Sequence, residues 1–539
     1  MENEIYALAF DIGTTGVKTC LFKITDRIEL LEAASEGYNL YVMPNGGAEQ
    51  EPDEWWQAMC STSKAVIKKS KINPADIYGI SFCSQMQGLV LVDKEGNAVR
   101  RAFSYMDQRA GAELKKGLAY GPQIAGANVP KLLKSLQITG AVPASVKDPV
   151  WKYKWTEANE PDNFARVHKW LDVKEYLICR MTGEFVMTRD SAFATMLYDI
   201  RAGKRCWSPE MCKMLGVKFE HMPRIIDCTE KAGILRPQQA EELGLTAGIP
   251  VFGGGGDATL IGVGAGAVGM GDTHVYQGTS GWVSTVVDKS IVDAGAMIAA
   301  TVGAEDGMYN YFAELETAGK CVEWVKDHLA LDEIDVYLNK QHDFKHKNAE
   351  MEVVYTNLYD YMMAVVDSIP AGSGGVIFTP WLHGNRCPFE DSNARGMFFN
   401  ISLETGKTEL IRAVVEGVCF HLRWMLEAQE KKVKGSNTIR FVGGGALSDV
   451  TSQILSDITG RVVETVDSPQ NAGAVGAAVL IAVSAGFVSS VSEAKKLIPA
   501  AKTFTPDMKN KSVYDKNFTV FKQLYKSNKD NFAMLNELG

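Results

Sequence analysis

The chain has 539 residues, 46% of them apolar and 22% charged, with a formal net charge of -9. That composition excludes wholesale disorder and a disulfide scaffold, and the acidic balance excludes an electrostatic surface for nucleic acid or anionic lipid, which needs a basic field. One core stops growing near ~250–300 residues, so the length predicts two large domains with a cleft between them.

Tyr6 to Phe10 form a short apolar run ending at Asp11, and after the turn through Gly16 a second run continues through Val17 and Leu21. This reads as a β-hairpin opening a sheet. Residues 80–82 and 89–92 read as strands, and 169–181 has helical spacing before Thr182 and Gly183. Strands alternate with helices, so the class is α/β. Near residue 250 the texture changes: a strand over 249–252 is followed by four glycines, Asp257 and a small-residue stretch to Gly271. The domain boundary is expected there, dividing the chain into 1–250 and 251–500, with a helical extension over 501–539. The run 472–488 contains Gly and Ser and falls short of the ~20 apolar residues of a membrane span, so it reads as a buried helix. The ten cysteines form no CxxC pair, and no leader precedes the first apolar run, which reads as reduced thiols in a cytoplasmic enzyme. His342 and His346 have HxxxH spacing in a charged stretch without a nearby cysteine, so zinc is not expected.

Three glycine turns carry the chemistry. The first is Asp11-Ile12-Gly13-Thr14-Thr15-Gly16, whose echo in the second half, Gln277-Gly278-Thr279-Ser280-Gly281, reads either as a duplicated ATPase fold clasping one nucleotide or as a chance recurrence of Gly-Thr turns. Backbone N–H groups of such turns approach polyphosphate closely and the hydroxyls donate further bonds, while Asp11 suits hydrated magnesium. The spacing is neither GxxxxGK[ST] nor GxGxxG, so neither a P-loop nor a dinucleotide fold is indicated. In the second, Gly253 to Gly256 precede Asp257, which reads either as a helix cap or as a base that orients an alcohol for phosphoryl transfer, where an ordinary carboxylate suffices. The third, Gly443-Gly444-Gly445 after a strand and before a capped helix beginning near Asp449, reads as an adenosine cradle or a tight strand-to-helix turn.

Together with Tyr105-Met106-Asp107-Gln108-Arg109, Asn159-Glu160-Pro161, Lys169-Trp170-Leu171-Asp172 and Asn393-Ala394-Arg395-Gly396, these turns resemble, in order, the FGGY carbohydrate kinase family, from about residue 6 to about residue 490. The resemblance implies two actin-like ATPase domains of the ribonuclease H-like type, with ATP and sugar meeting in the cleft. Asp257 takes the family's catalytic base position. Asp11, Gly13, Thr14 and Thr15 would face the phosphates, Thr279 would touch them from the other domain, and Gly319, Gly445 and Asp449 would border the nucleoside. Mg2+ would lie by Asp11 and Asp257, and Lys18 would either add charge near the phosphates or be a strand-surface lysine. Gln85, Met86, Gln87, Asp107 and Arg109 would bind the sugar. Members that act on xylulose usually read Gln-Met-His-Gly where this chain has Gln85-Met86-Gln87-Gly88, and tend to carry Glu and Thr where Asn385 and Cys387 stand. The resemblance implies a kinase of a ketopentose, D-xylulose first, with ribulose, gluconate or glycerol-type acceptors as alternatives. Family habit adds a homodimer. The rival reading is an actin- or chaperone-like ATPase, which would need no polar sugar segment.

Overall fold

The computed structural model describes residues 4–118, 123–124, 127–329 and 358–537. His342 and His346 lie outside the described residues. In the first half, β1 (Ile5–Ile12), β2 (Gly16–Ile24) and β3 (Ile28–Gly37) form an antiparallel meander; β4 (Ile77–Ser84), β5 (Lys231–Ile234) and β6 (Pro250–Phe252) complete the main path, in the order β5-β6-β4-β1-β2-β3. β4 runs parallel to β1 and to β6. In the second half, β7 (Thr273–Gln277), β8 (Gly281–Val287), β9 (Val292–Asp293), β10 (Ile298–Val302), β11 (Tyr309–Leu315), β12 (Thr438–Val442), β13 (Val462–Thr465) and β14 (Lys502–Phe504) are ordered β9-β10-β11-β8-β7-β12-β13-β14. β12 is again parallel to its neighbours β7 and β13, and the last strand of each path, β5 or β14, is antiparallel. The hairpin echo in the sequence is therefore the visible part of a repeated topology, and the expected pair of actin-like α/β units is what the structure has.

Helices cover both sheets. α1 (Pro52–Ser70) follows β3; Pro52 with Asp53 and Glu54 suits its first turn and Lys68 and Lys69 its last. Trp55 and Trp56 on it are core residues, 0% and 3% exposed. α2 (Val173–Thr182) begins later than the helical spacing suggested, because Lys169–Leu171 pairs as a strand with Val90–Val92 and Asp172 caps the helix from outside. α3 (Asp257–Gly264) and α4 (Ala472–Ser484) follow the corresponding strands β6 and β13, each next to the last of its path, and pack on each other. A methyl group on Gly264 would strike the carbonyl oxygen of Ala472, and one on Gly476 that of Leu260. The helices approach this closely because Gly264 and Gly476 at the crossing have no side chains. Residues 472–482 are all buried, so this apolar run is an internal helix. It packs with Ala7, Ala9 and Cys20 of the first sheet, although it follows strands of the second. α5 (Lys511–Asn536) closes the chain and packs Tyr514, Phe518 and Phe521 into the second core.

Candidate active site

The first turn is held by backbone and by distant side chains. Gly13 N donates to Gly16 O at 2.9 Å, and the Tyr38 hydroxyl donates to the carbonyls of Gly13 and, at 3.1 Å, Gly16. Gln50 Nε2 donates to Thr14 O at 2.6 Å. These bonds use the carbonyls and leave Thr15 exposed at the tip. Asp11, at the end of β1, has its proton affinity raised by burial, against the pull of Lys18 and a hydrogen bond with Cys83. Lys18 Nζ donates to Gln470 O at 2.9 Å, so the lysine ties the hairpin to the loop before α4.

Asp257 is the first residue of α3 and its Oδ1 accepts from Ala258 N at 2.8 Å. Gly255 and Gly256 pair with Cys83 and Ser84 of β4, while Asp11 and Ile12 pair with the same two residues from the other side. Two ladder spacings, roughly 10 Å, therefore separate the strands that carry the two carboxylates. Gly254, at φ +69°, makes the turn that a side chain would block, since a methyl there would meet the Phe82 backbone. Buried Asp190 accepts from Gly256 N at 2.7 Å and from Thr188 Oγ1 at 2.6 Å. Asp257 is half-buried as a residue, and its carboxyl lies deep. Burial first, then the negative charges of Asp11 and Glu314, push it up to about 7, against the pull of the Ala258 N–H. An ordinary carboxylate was sufficient for the role; the site holds one that exchanges its proton near neutrality.

The polar segment beside Asp257 divides into reaching and bracing groups. Met86 packs directly over Gly256, where no side chain fits. Gln85 is 4% exposed; its Nε2 donates to Gln50 Oε1 at 3.0 Å, and its Oε1 has no partner among the described residues. Gln87 is half-buried, with φ 62°. Asp107 is fully buried, and its oxygens accept from Arg109 N at 3.1 Å, Ala48 N at 2.8 Å and the Arg109 guanidinium at 2.8 Å. Arg109 also pairs with Glu49 at 2.6 Å. Both residues are thus engaged with the protein itself. Tyr105, beside them, shares a hydrogen bond with Thr14 and feels the charges of Asp257, Glu314 and Glu316, so this segment faces the end of β11 across the cleft.

On the second half, Thr279 is exposed at its hairpin tip and its carbonyl accepts from Ala318 N at 3.0 Å and Lys320 N at 3.2 Å. Gly319 N donates to Gly278 O at 2.8 Å, at the start of the helix Gly319–His328. A Cβ on Gly445 would stand 2.6 Å from Gln277 Cδ, and Gln277 Oε1 is buried without a partner among the described residues. Gly319, Gly445 and the hairpin therefore form one surface. Asp449 lies at its edge, 58% exposed, with both oxygens 2.8 Å from Lys502 Nζ. Glu323 pairs with Lys320 at 3.0 Å. Asn385 is 4% exposed and donates to Cys387 O and Phe389 O, bracing its own loop.

Residues 6–264 match the N-terminal domain, and residues 275–485 the C-terminal domain, of the FGGY family of carbohydrate kinases. The chain belongs to that family. This FGGY kinase is 27% identical to the xylulose kinase of Bacillus subtilis (strain 168), over 97% of each chain. It is 26% identical to the gluconokinase of the same strain, over 93% of this chain and 92% of the relative. The crystal structure of gluconate kinase from Lactobacillus acidophilus superposes with a TM-score of 0.82 at 24% identity, covering 99% of this chain and 100% of that one. As an FGGY kinase the protein is a phosphotransferase acting on a carbohydrate alcohol. Among the described residues no helix is long and apolar enough to cross a membrane.

Sequence reasoning missed Tyr38, Gln50, Asp190 and Glu314, which join the site only through the fold. Tyr105 was in view within its motif, but nothing local tied it to Thr14.

Proposed function

We propose that this FGGY kinase transfers the γ-phosphoryl group of ATP to a primary hydroxyl of a ketopentose, giving D-xylulose 5-phosphate from D-xylulose. The observation that carries the reading is Asp257, a carboxylate poised near neutrality beside Met86 and Gln85 and two strands from Asp11. With its proton released, Asp257 accepts the acceptor hydroxyl's hydrogen bond and takes the proton late in a loose transition state. The unpartnered Gln85 Oε1 supports a hydroxyl-bearing ligand, because a buried acceptor left without a donor is costly. Thr15 and Thr279, each exposed at its hairpin tip, would hold the phosphates, with Gly319, Gly445 and Asp449 along the nucleoside.

Magnesium fits the carboxylates present. No group of three metal-binding side chains occurs among the described residues, and Mg2+ ordinarily completes its shell from phosphate oxygens and water around one or two carboxylates. Asp11 and Asp257 would supply those, and the ion would neutralise charge on the transferring group. The family, the xylulose kinase relative and the retained Gln85, Met86 and Gly88 favour a ketopentose; Gln87 and the gluconokinase relative keep a sugar acid as the second reading.

The test is ADP release across pentuloses, hexuloses, polyols and aldonic acids, for wild type and Asp257→Asn. Turnover on D-xylulose that the variant loses is the expected result. Turnover on gluconate alone would move the acceptor to a sugar acid, and turnover that survives in a folded Asp257→Asn would remove the base.

A further inference from the structure

Lys152 is completely buried, on the helix Pro149–Asn159, and its ammonium forms no ion pair among the described residues. Its Nζ donates instead to two backbone carbonyls, Gln87 O at 3.0 Å and Ser104 O at 2.8 Å. Those carbonyls belong to the two segments, 84–88 and 104–109, that flank Asp257 and Thr14. A buried ammonium whose hydrogen bonds go to backbone carbonyls is a costly way to hold two loops together if shape alone were needed.

The Gln87 peptide is gripped from both sides. Its N–H donates to Asp172 Oδ2 at 3.1 Å and its carbonyl accepts from Lys152. Gln87 is left-handed at φ 62°, a conformation that a long side chain keeps only when its surroundings enforce it. Ser104, the other acceptor, is fixed by its N–H to Ala48 O at 2.9 Å. Lys152 therefore sets the separation of two segments whose side chains reach toward the catalytic carboxylate.

We infer that Lys152 is a positioning residue for the phosphoryl acceptor: by joining the Gln87 turn to the Ser104 segment it fixes the width of the acceptor pocket, and so acceptor affinity. The role of the two segments rests on the function proposed above; the clamp itself does not. The groups facing Lys152 are Asp107, Asp148 and Asp172, with Lys147 opposing them, and burial holds its proton affinity down at about 8. Above that pH the ammonium becomes an amine, losing its charge and one donor, and the clamp weakens.

The experiment compares the full chain with Lys152→Met, and with Lys152→Gln in case the methionine variant does not fold. Amide hydrogen exchange at pH 7 should accelerate about tenfold or more in 84–88 and 104–109 while residues 273–287 stay unchanged. With whichever acceptor the wild type uses, KM for the acceptor should rise about tenfold with kcat and the ATP KM within about twofold. Wild-type acceptor KM should also climb between about pH 7 and 9, and that dependence should vanish in the variants. Unchanged exchange in the two segments, acceleration throughout the chain, or acceptor and ATP KM rising together would each overturn the inference. Local acceleration in a protein whose wild type phosphorylates no acceptor would uphold the clamp and sink the acceptor assignment instead.

Discussion

Asp11 and Asp257 stand at the same end of one sheet with only the strand of Cys83 between them, and the charge of Asp11 raises the proton affinity of Asp257. Burial is the larger cause, and together with Glu314 the effect brings the group to about 7. As the proposed base, Asp257 must be ionised to act, so kcat/KM should fall about tenfold per unit as pH drops below about 7. Asp11→Asn removes one raising neighbour and should move that acid limb to lower pH, while burial keeps it above the ordinary carboxylate range. A pH profile from 5 to 9 on both proteins checks this; an unmoved limb would mean that the two carboxylates are uncoupled.

The same shift has a consequence for stability. A group whose folded proton affinity exceeds its unfolded one holds its proton in the native state, so stability falls as pH rises from about 4 through about 7. Asp257→Asn imitates the protonated form. It should cost about 10²–10⁴-fold in turnover, yet melt higher than wild type at pH 8 and no higher at pH 4. Thermal melts at the two pH values decide it, and equal differences at both would exclude the linkage.

Two glycines make opposite predictions. A methyl group at Gly319 would strike Gly278 O, within the hairpin read as the phosphate and nucleoside surface, so Gly319→Ala should raise the ATP KM about tenfold with less effect on the acceptor KM. At Gly264 the obstacle is the Ala472 carbonyl at the crossing of α3 and α4. Gly264→Ala should destabilise by about 1–3 kcal/mol through overpacking, seen as a lower denaturation midpoint. If Gly319→Ala shifted both KM values alike, the division of the cleft into a nucleotide side and an acceptor side would fail.

The parts of the site written within a few consecutive residues were legible: the two hairpin turns, the glycines before Asp257 and the Ser448-capped helix after Gly443 all follow local rules of turn and cap. Legibility stopped where one residue type serves two ends. Asp107 and Arg109 have the composition of a sugar-binding pair, yet their charges meet each other and Glu49; sequence spacing carries no information on that third partner. Asp190 lies 66 residues before the Gly256 N–H that it holds, and the packing of α4 on the first sheet depends on a crossing between halves. The raised proton affinity of Asp257 arises from burial and from charges on two other strands, so no motif could announce it.

Arg189 connects the halves next to the turn that carries Asp257. Its guanidinium pairs with Asp227 at 2.7 Å in the first half and with Asp306 at 2.5 Å in the second, where Arg205 also binds. Asp227 and Asp306 are each 47% exposed, and pairs this open contribute about 0–1 kcal/mol to stability. The next residue, Asp190, grips Gly256 N, so the ion pairs between the halves adjoin the residue before Asp257. Closure of the cleft excludes water as a competing acceptor. With closure expected on ligand binding, Asp306→Asn should lower kcat severalfold while its melting temperature stays within about 3 °C of wild type, and X-ray scattering with and without ligands should show a smaller contraction than in wild type. A variant that lost stability in proportion to activity would make these ion pairs structural struts instead.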